Sequence, residues 1–359
     1  MPNPLRLAVV GIDHPHGFAW RETLRAQGPD AAEIVAVVPR FGGAIASLEE
    51  SLADLPRFDR VEGLLAADLA FDGALVCLPN DETPGAVAAL ARAGKALLVE
   101  KPIARTAAEA RPALEAVEAA GVAFQGGYVW RYDAMADRLR AMVADGRFGK
   151  LIHVEMNFVT SDARRRGADH WLFDPAASGG GFFHWLGCHW LDLLLYVTDR
   201  AVVGVTARTG VYGASELAVE DGGAAILELE GGGMATLTGG YWLPRWAGAS
   251  RWSLHGTERW VQWEPARPGT GGALEIHGPK PQWDAMDETF ALPPDVAPGY
   301  GGSKGIAAVA DWLAAARSGG GPRAGRNTTA SAAAVLTLLD LIGQSSREGR
   351  RLECRVGPA

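Results

Sequence analysis

Leu5–Val10 is an unbroken apolar run closed by Gly11, and its length suits a strand buried on both faces. From His16 to Ala26 the apolar residues recur at helical spacing until Gly28-Pro29 stops them. The alternation then repeats. Strands are expected at Ile34–Val38, at Gly73–Leu78 before the Pro79-Asn80 turn, at Ala96–Val99 and at Val122–Gln125. Helices are expected at 47–55, at 61–69, at Pro84–Ala93 and from Thr106 to about Ala120. Pro84 suits a first helical turn and Gly94 a helix end. Thr106 with Glu109 three residues on reads as a capping box. Nearly all-apolar strands between helices predict a parallel sheet covered on both faces.

After Gly126-Gly127 the pattern changes. Tyr132–Ala144 is amphipathic, Leu151–Thr160 alternates like a strand of a half-solvated sheet, and Phe182–Tyr196 is an apolar helix after a long loop at 161–180. Strand-like runs follow at 201–208, 215–219, 224–229, 234–240, 250–255 and 258–263. The Pro- and Gly-rich stretch 264–302 reads as loops, and two late helices as Gly305–Arg317 and Thr328–Ser345. The expected class is α/β: an N-terminal parallel-sheet domain over 1–125, then an α+β domain over 126–359 with a large, mostly antiparallel open sheet. The last helices are candidates to pack back towards the first domain.

Composition narrows the function without identifying it. A chain of 359 residues is long for one core and suits two domains. Its net charge of -8 argues against nucleic acid as the main partner. The Arg164-Arg165-Arg166 cluster reads as a solvated face or a local anion contact. Cys77, Cys188 and Cys354 are too scattered for a disulfide framework or a metal site. No stretch suits a signal peptide or a membrane span, so a cytoplasmic location is expected. Five tryptophans fall between Trp242 and Trp263, a cluster that suits core and subunit interface, with an exposed aromatic sheet face fitting a homodimer.

The candidate chemistry lies at strand ends. Ala96–Val99 runs directly into Glu100-Lys101-Pro102. Together with Gly11 this brings glycine, carboxylate and ammonium to one sheet edge, a crevice for a phosphate-bearing cofactor. Lys101 can polarise a substrate oxygen there, while Glu100 suits a structural role in the turn. Trp185, His189 and Asp192, spaced by four and three, share a helical face. A histidine beside a carboxylate suits proton transfer, and equally a half-buried structural pair. His184 stands about 100° round that helix. Asp13, His14 and His16 offer metal-type donors, but their completion needs distant ligands, so no metal is expected.

The order and spacing of Val10-Gly11, Pro79-Asn80, Ala89-Leu90, Gly94-Lys95, Glu100-Lys101-Pro102, Trp171, Ser178–Gly181, Gly187, His189, Asp192 and Ser346–Arg350 resemble the Gfo/Idh/MocA family of nicotinamide-dependent sugar and polyol dehydrogenases, nearly end to end. The resemblance implies a Rossmann domain binding NAD or NADP and a second domain carrying substrate and building homodimers or homotetramers through its sheet. It implies Lys101 at the nicotinamide ribose and substrate, and His189 as acid or base. The dinucleotide would be held by Gly11, Ile12, Asp13, His14, His16, Arg40, Pro79, Asn80, Glu100 and Lys101. The substrate would meet Asp192, Trp185, His184, Arg131, His170 and Trp171, with Asp169 beside them.

Departures from the family pattern bear on function. Where the family has a carboxylate one turn before the histidine, Trp185 stands. The glycine-rich turn reads Gly11-Ile12-Asp13-His14-Pro15-His16-Gly17, so Asp13 or His14 replaces its middle glycine. Strand two ends Val38-Pro39-Arg40 with no acid for an NAD ribose, and Arg40 tilts the expectation towards NADP. Asp81-Glu82-Thr83 stands where a histidine is common. The expected activity is hydride transfer between NAD(P) and a sugar, cyclitol or related polyol. The alternatives are NAD-assisted elimination or glycoside cleavage on the same fold, and a non-enzymatic sugar- or nucleotide-binding member.

Overall fold

The structure is a computed structural model and describes residues 3–11, 14, 16–40, 50–161, 163, 167, 170–213, 216–244, 247–265, 267, 269–278 and 288–358. Two compact units emerge, one formed by Met1–Tyr132 with Val296–Ala333 and the other by Asp133–Asp295 with Ala334–Ala359. Each therefore takes part of the C-terminal stretch; the sequence expectation was a boundary after residue 125 with the last helices as candidates to pack back towards the first domain.

The first unit begins with β1 (Leu5–Val10), α1 (Gly17–Arg25), β2 (Ala32–Val38), α2 (Glu50–Ala53) and α3 (Val61–Ala66). It continues through β3 (Gly73–Val76), α4 (Thr83–Arg92), β4 (Ala96–Val99), α5 (Ala107–Ala120) and β5 (Phe124–Gly126) to a 3-10 turn at Val129–Tyr132. The five strands form a parallel sheet in the order β2-β1-β3-β4-β5. The chain leaves β1 to one side for β2 and returns to the other side for β3. Such a reversal opens a crevice at the carboxyl ends of the strands. β3 and β4 are buried at every position, as the apolar runs predict. Thr106 caps α5 by accepting the Glu109 amide at 3.2 Å, and Gly121 closes that helix at φ 64°.

Gly11 ends β1 at φ 72°, and a Cβ there would stand 2.2 Å from the Cys77 carbonyl oxygen. Only glycine therefore lets the turn after β1 pass so close to the end of β3. Trp20 and Leu24 of α1 join Val9, Leu75 and Leu98 in one core. The late helix Ser303–Arg317 of the same unit adds Val309, Trp312 and Leu313 to it.

The second unit contains α6 (Ala134–Ala144), β6 (Leu151–Ser161), a 3-10 turn at Trp171–Phe173, α7 (Pro175–Ser178), a π-helical turn at Phe183–Gly187 and α8 (Cys188–Thr198). There follow β7 (Val202–Gly210), β8 (Gly222–Leu229), β9 (Met234–Leu243), β10 (Gly248–Gly256), β11 (Trp260–Glu264), β12 (Ala273–His277) and β13 (Glu288–Ala291). The chain closes with α9 (Ser303–Arg317, first unit), α10 (Thr329–Glu348, divided between the units) and β14 (Leu352–Val356). Among the described residues nine strands pair in the order β13-β12-β11-β10-β6-β9-β8-β7-β14. All pairings are antiparallel except β6 with β9.

One face of this sheet is covered. α8 is buried along its whole length. Its Trp190 ring lies 5.6 Å from Trp252, which lies 5.9 Å from Trp263. Tyr196 donates to Asp137 of α6 at 2.6 Å, and Ser345 of α10 accepts the Ala207 amide at 3.0 Å. The opposite face leaves Ile226, Met234 and Trp260 exposed. Trp260 and Trp263 thus point to opposite faces, as three-residue spacing on a strand requires.

Candidate active site

In the first unit the ends of β1 and β4 are tied together by a buried carboxylate. Glu100, 2% exposed, accepts the Trp20 indole N–H through Oε2 at 2.5 Å and Nδ1–H of His16 through Oε1 at 2.8 Å. An ionised carboxylate only accepts, so Nδ1 of His16 carries the proton in this bond. His14 Nδ1 accepts the His16 amide at 3.0 Å. Tyr300 lies against both His16 and Trp20, its ring 4.5 and 4.6 Å from theirs. Burial pushes the Glu100 carboxyl up, but the charge and hydrogen bond of His16, joined by Lys101, outweigh it and hold the group at about 2. The Lys101 ammonium lies 3.9 Å from Glu100 Oε1, and the residue is 1% exposed.

Arg40, just past β2, is held by Glu82 at the start of α4, with Nε 2.7 Å and Nη2 2.5 Å from the same carboxylate oxygen. Asn80 is buried in the turn between β3 and α4, as is Pro79. Arg131 is buried in a reciprocal clamp. It donates to the Arg326 carbonyl, and Arg326 donates to the Arg131 carbonyl, both at 2.8 Å. Ile12, Asp13, Asp169 and the Arg164–Arg166 cluster lie outside the described residues.

Dinucleotide binding beside β1 requires a close backbone approach and a helix start that tolerates an anion. Gly11, at φ 72°, keeps the turn after β1 tight against the end of β3 and leaves no side chain of its own in that turn. His16, the residue before α1, makes no side-chain cap to that helix, so its imidazole is left for Glu100. With the buried Lys101 at the next strand end but one, the chain's residues fit such a cofactor.

In the second unit His189, 5% exposed, and Asp192, fully buried, lie on α8 at a spacing of three and share a helical face. The turn before them is π-helical, with the Cys188 amide reaching back to the Phe183 carbonyl. This wider turn takes Trp185 and His184 off α-helical spacing with His189, a feature that the sequence periodicity does not reveal. Trp185 is buried and meets Trp171 edge to face at 6.2 Å. His170 lies against Trp171, and its Nδ1 accepts the Leu172 amide at 3.2 Å. His184 packs on Gly180, where a Cβ would stand 2.2 Å from its Nδ1.

Sequence reasoning missed Trp20, Tyr300, Glu220 and Asp221. Trp20 is four residues beyond His16, a spacing that puts both on one face of α1. Glu220 accepts the Gly181 amide at 2.8 Å and the Phe183 amide at 3.1 Å, and so anchors the start of the helix bearing His189. Asp221 accepts the amides of Tyr212 and Gly213 at 2.9 and 2.6 Å. The acidic pair directly before Gly222-Gly223 was the available signal.

Fold and site define a Rossmann-type oxidoreductase. Residues 5–128 match the family described as "Oxidoreductase family, NAD-binding Rossmann fold", and residues 136–262 match the "GFO/IDH/MocA C-terminal domain". The chain belongs to the Gfo/Idh/MocA family of NAD(P)-dependent oxidoreductases. It is 28% identical over 249 residues to an inositol 2-dehydrogenase of Rhizobium meliloti, spanning 66% of this chain and 69% of that one. It is 26% identical over 239 residues to a D-xylose 1-dehydrogenase (NADP(+)) of Haloferax volcanii, spanning 66% and 70%. An oxidoreductase domain protein from Kribbella flavida shares the fold at a TM-score of 0.84 and 20% identity, over 98% of this chain and 99% of that one.

Proposed function

We propose that the protein transfers a hydride between NAD(P) and the carbinol or carbonyl carbon of a sugar, cyclitol or related polyol. The bound nicotinamide supplies the hydride chemistry, and the names of the inositol and xylose relatives support the substrate class. The single observation that carries the reading is Lys101 at the carboxyl end of β4, buried beside a Glu100 anchored to the turn after β1. Its ammonium orients and polarises the reacting oxygen, which stabilises alkoxide character as the carbonyl forms or is reduced. His189 takes the hydroxyl proton in oxidation and returns it in reduction, and Asp192, one turn on, fixes its tautomer. Trp171 and Trp185 offer aromatic faces to a sugar ring. Gly11, His14, Pro79 and Asn80 border the dinucleotide. A second copy of the chain covers the open sheet face of the second unit.

The test compares Lys101→Ala and His189→Ala with the parent enzyme on a panel of cyclitols and aldoses, with dinucleotide binding measured separately. Loss of the positioned acid–base group is expected to lower kcat by about 10²–10⁴-fold while NAD(P)H still binds. Unchanged turnover in both variants sinks the assignment, and absence of any dinucleotide binding sinks the dehydrogenase reading.

A further inference from the structure

Arg40 alone points to NADP, because an arginine just beyond β2 is placed to receive a 2′-phosphate. The structure gives that guanidinium a partner the sequence did not reveal. Glu82 Oε1 lies 2.7 Å from Nε and 2.5 Å from Nη2 of Arg40, and both side chains are only partly exposed, at 26% for Arg40 and 36% for Glu82. β2 and β3 are both neighbours of β1, so this pair spans the carboxyl end of β1 at the mouth of the dinucleotide crevice. Glu82 is the residue before α4, yet its side chain makes no cap to that helix. Its carboxylate is committed to Arg40. Asp81 stands close enough that its carboxyl is pushed up, by burial first and by the charge of Glu82 as well. The Arg40 guanidinium thus lies against the Glu82 carboxylate with a second acid, Asp81, next to it in the chain.

We propose that Glu82 is the residue that sets cofactor preference: it occupies the Arg40 guanidinium, so that NAD(H) is favoured over NADP(H). A 2′-phosphate would have to displace a carboxylate from Arg40 and then remain beside it as a like charge. The 2′-hydroxyl of NAD(H), uncharged and able both to donate and to accept, meets neither cost. The inference rests on the dehydrogenase reading above.

The experiment measures Kd for NADH and for NADPH by nicotinamide fluorescence, using the full chain, Glu82→Gln, Arg40→Gln and the double variant. The parent protein is expected to prefer NADH. Glu82→Gln is expected to shift the ratio of affinities towards NADPH by about tenfold, the order for one unit charge near a phosphate at a partly exposed site. The double variant is expected to lose that gain, because the freed guanidinium is what receives the phosphate. A parent preference for NADPH, or a ratio that Glu82→Gln leaves within about twofold, overturns the proposal while the dehydrogenase reading stands. If neither nucleotide binds the parent protein, that reading falls and takes this proposal with it.

Discussion

Glu100 keeps its charge inside the first unit because every neighbour acts on the same two oxygens. Trp20 and His16 donate to them, and Lys101 stands 3.9 Å away. Its carboxyl is held at about 2 against an ordinary 4.5, so folding and deprotonation are linked. The folded value is the lower one. The stabilisation is therefore complete above about pH 4.5 and is lost as pH falls from there towards 2. A shift of this size corresponds to about 3 kcal/mol. Glu100→Gln is accordingly expected to lower unfolding free energy in urea by about that amount at pH 7, with the deficit shrinking as the pH approaches 2. A pH-independent deficit, or none at pH 7, contradicts the assignment. Little of this was legible in the sequence. Glu100 was recognisable as a turn residue next to Lys101, but its partners His16 and Trp20 lie 84 and 80 positions away. Likewise Arg40 was visible as a cation at the end of β2, and Glu82, which changes its meaning, was visible only as a departure from a family pattern.

At the scale of the element, the helix with His189 and Asp192 is held at its start by a side chain from a connecting segment. The two Glu220 oxygens accept the Gly181 and Phe183 amides, groups that a helix leaves without intrahelical partners. Glu220→Ala is expected to cost about 1–2 kcal/mol. By calorimetry this is a fall in Tm of about 1–2 °C for each kcal/mol at this chain size. Glu220→Gln keeps one acceptor oxygen and is expected to lose less. Equal losses in the two variants, or no change in either, would show that the carboxylate does not anchor the turn. The strands and helices of the first unit were readable because buried parallel strands and their covering helices carry strong apolar runs. The run at 215–219 also looked like a strand, yet residues 216–219 form none, and Asp221 instead draws the amides of Tyr212 and Gly213 into a loop. β12, β13 and β14 were missed for the opposite reason. They are short segments of four or five residues whose membership depends on pairing with distant strands, and β12 and β13 also lie within Pro- and Gly-rich sequence.

Over the whole molecule, periodicity shows that a face is buried but not what buries it. The late helices were candidates to pack back towards the first domain, but which residues of α9 would do so was not legible; Val309 and Trp312 lie in one core with Val9, Leu75 and Leu98 of β1, β3 and β4. The nine-stranded sheet poses the reverse question, since Ile226, Met234 and Trp260 remain 44%, 44% and 38% exposed on its open face. Ile226 pairs with Thr236, two residues along β9 from Met234, and Met234 and Trp260 lie in one row across the sheet. Met234 is opposite His153, His153 opposite His255, and His255 opposite Trp260, which stacks on His277 at 3.7 Å. Such a row of apolar and aromatic groups, flanked by the Arg251–Glu155 pair, is the composition of a surface that another protein covers. The second copy of the chain proposed above would use this face, because an isologous contact needs only one self-complementary face. Sedimentation velocity is expected to find a dimer or tetramer of the 37.9 kDa chain at micromolar concentration. Ile226→Asp combined with Met234→Asp is expected to shift it towards the monomer while the near-ultraviolet circular dichroism of the buried tryptophans persists. Both substituted positions are solvent-facing within one chain, so a soluble folded monomer is the outcome specific to an interface. A parent protein that sediments as a monomer, or a double variant that keeps the parent's sedimentation coefficient, removes this face as the site of self-association.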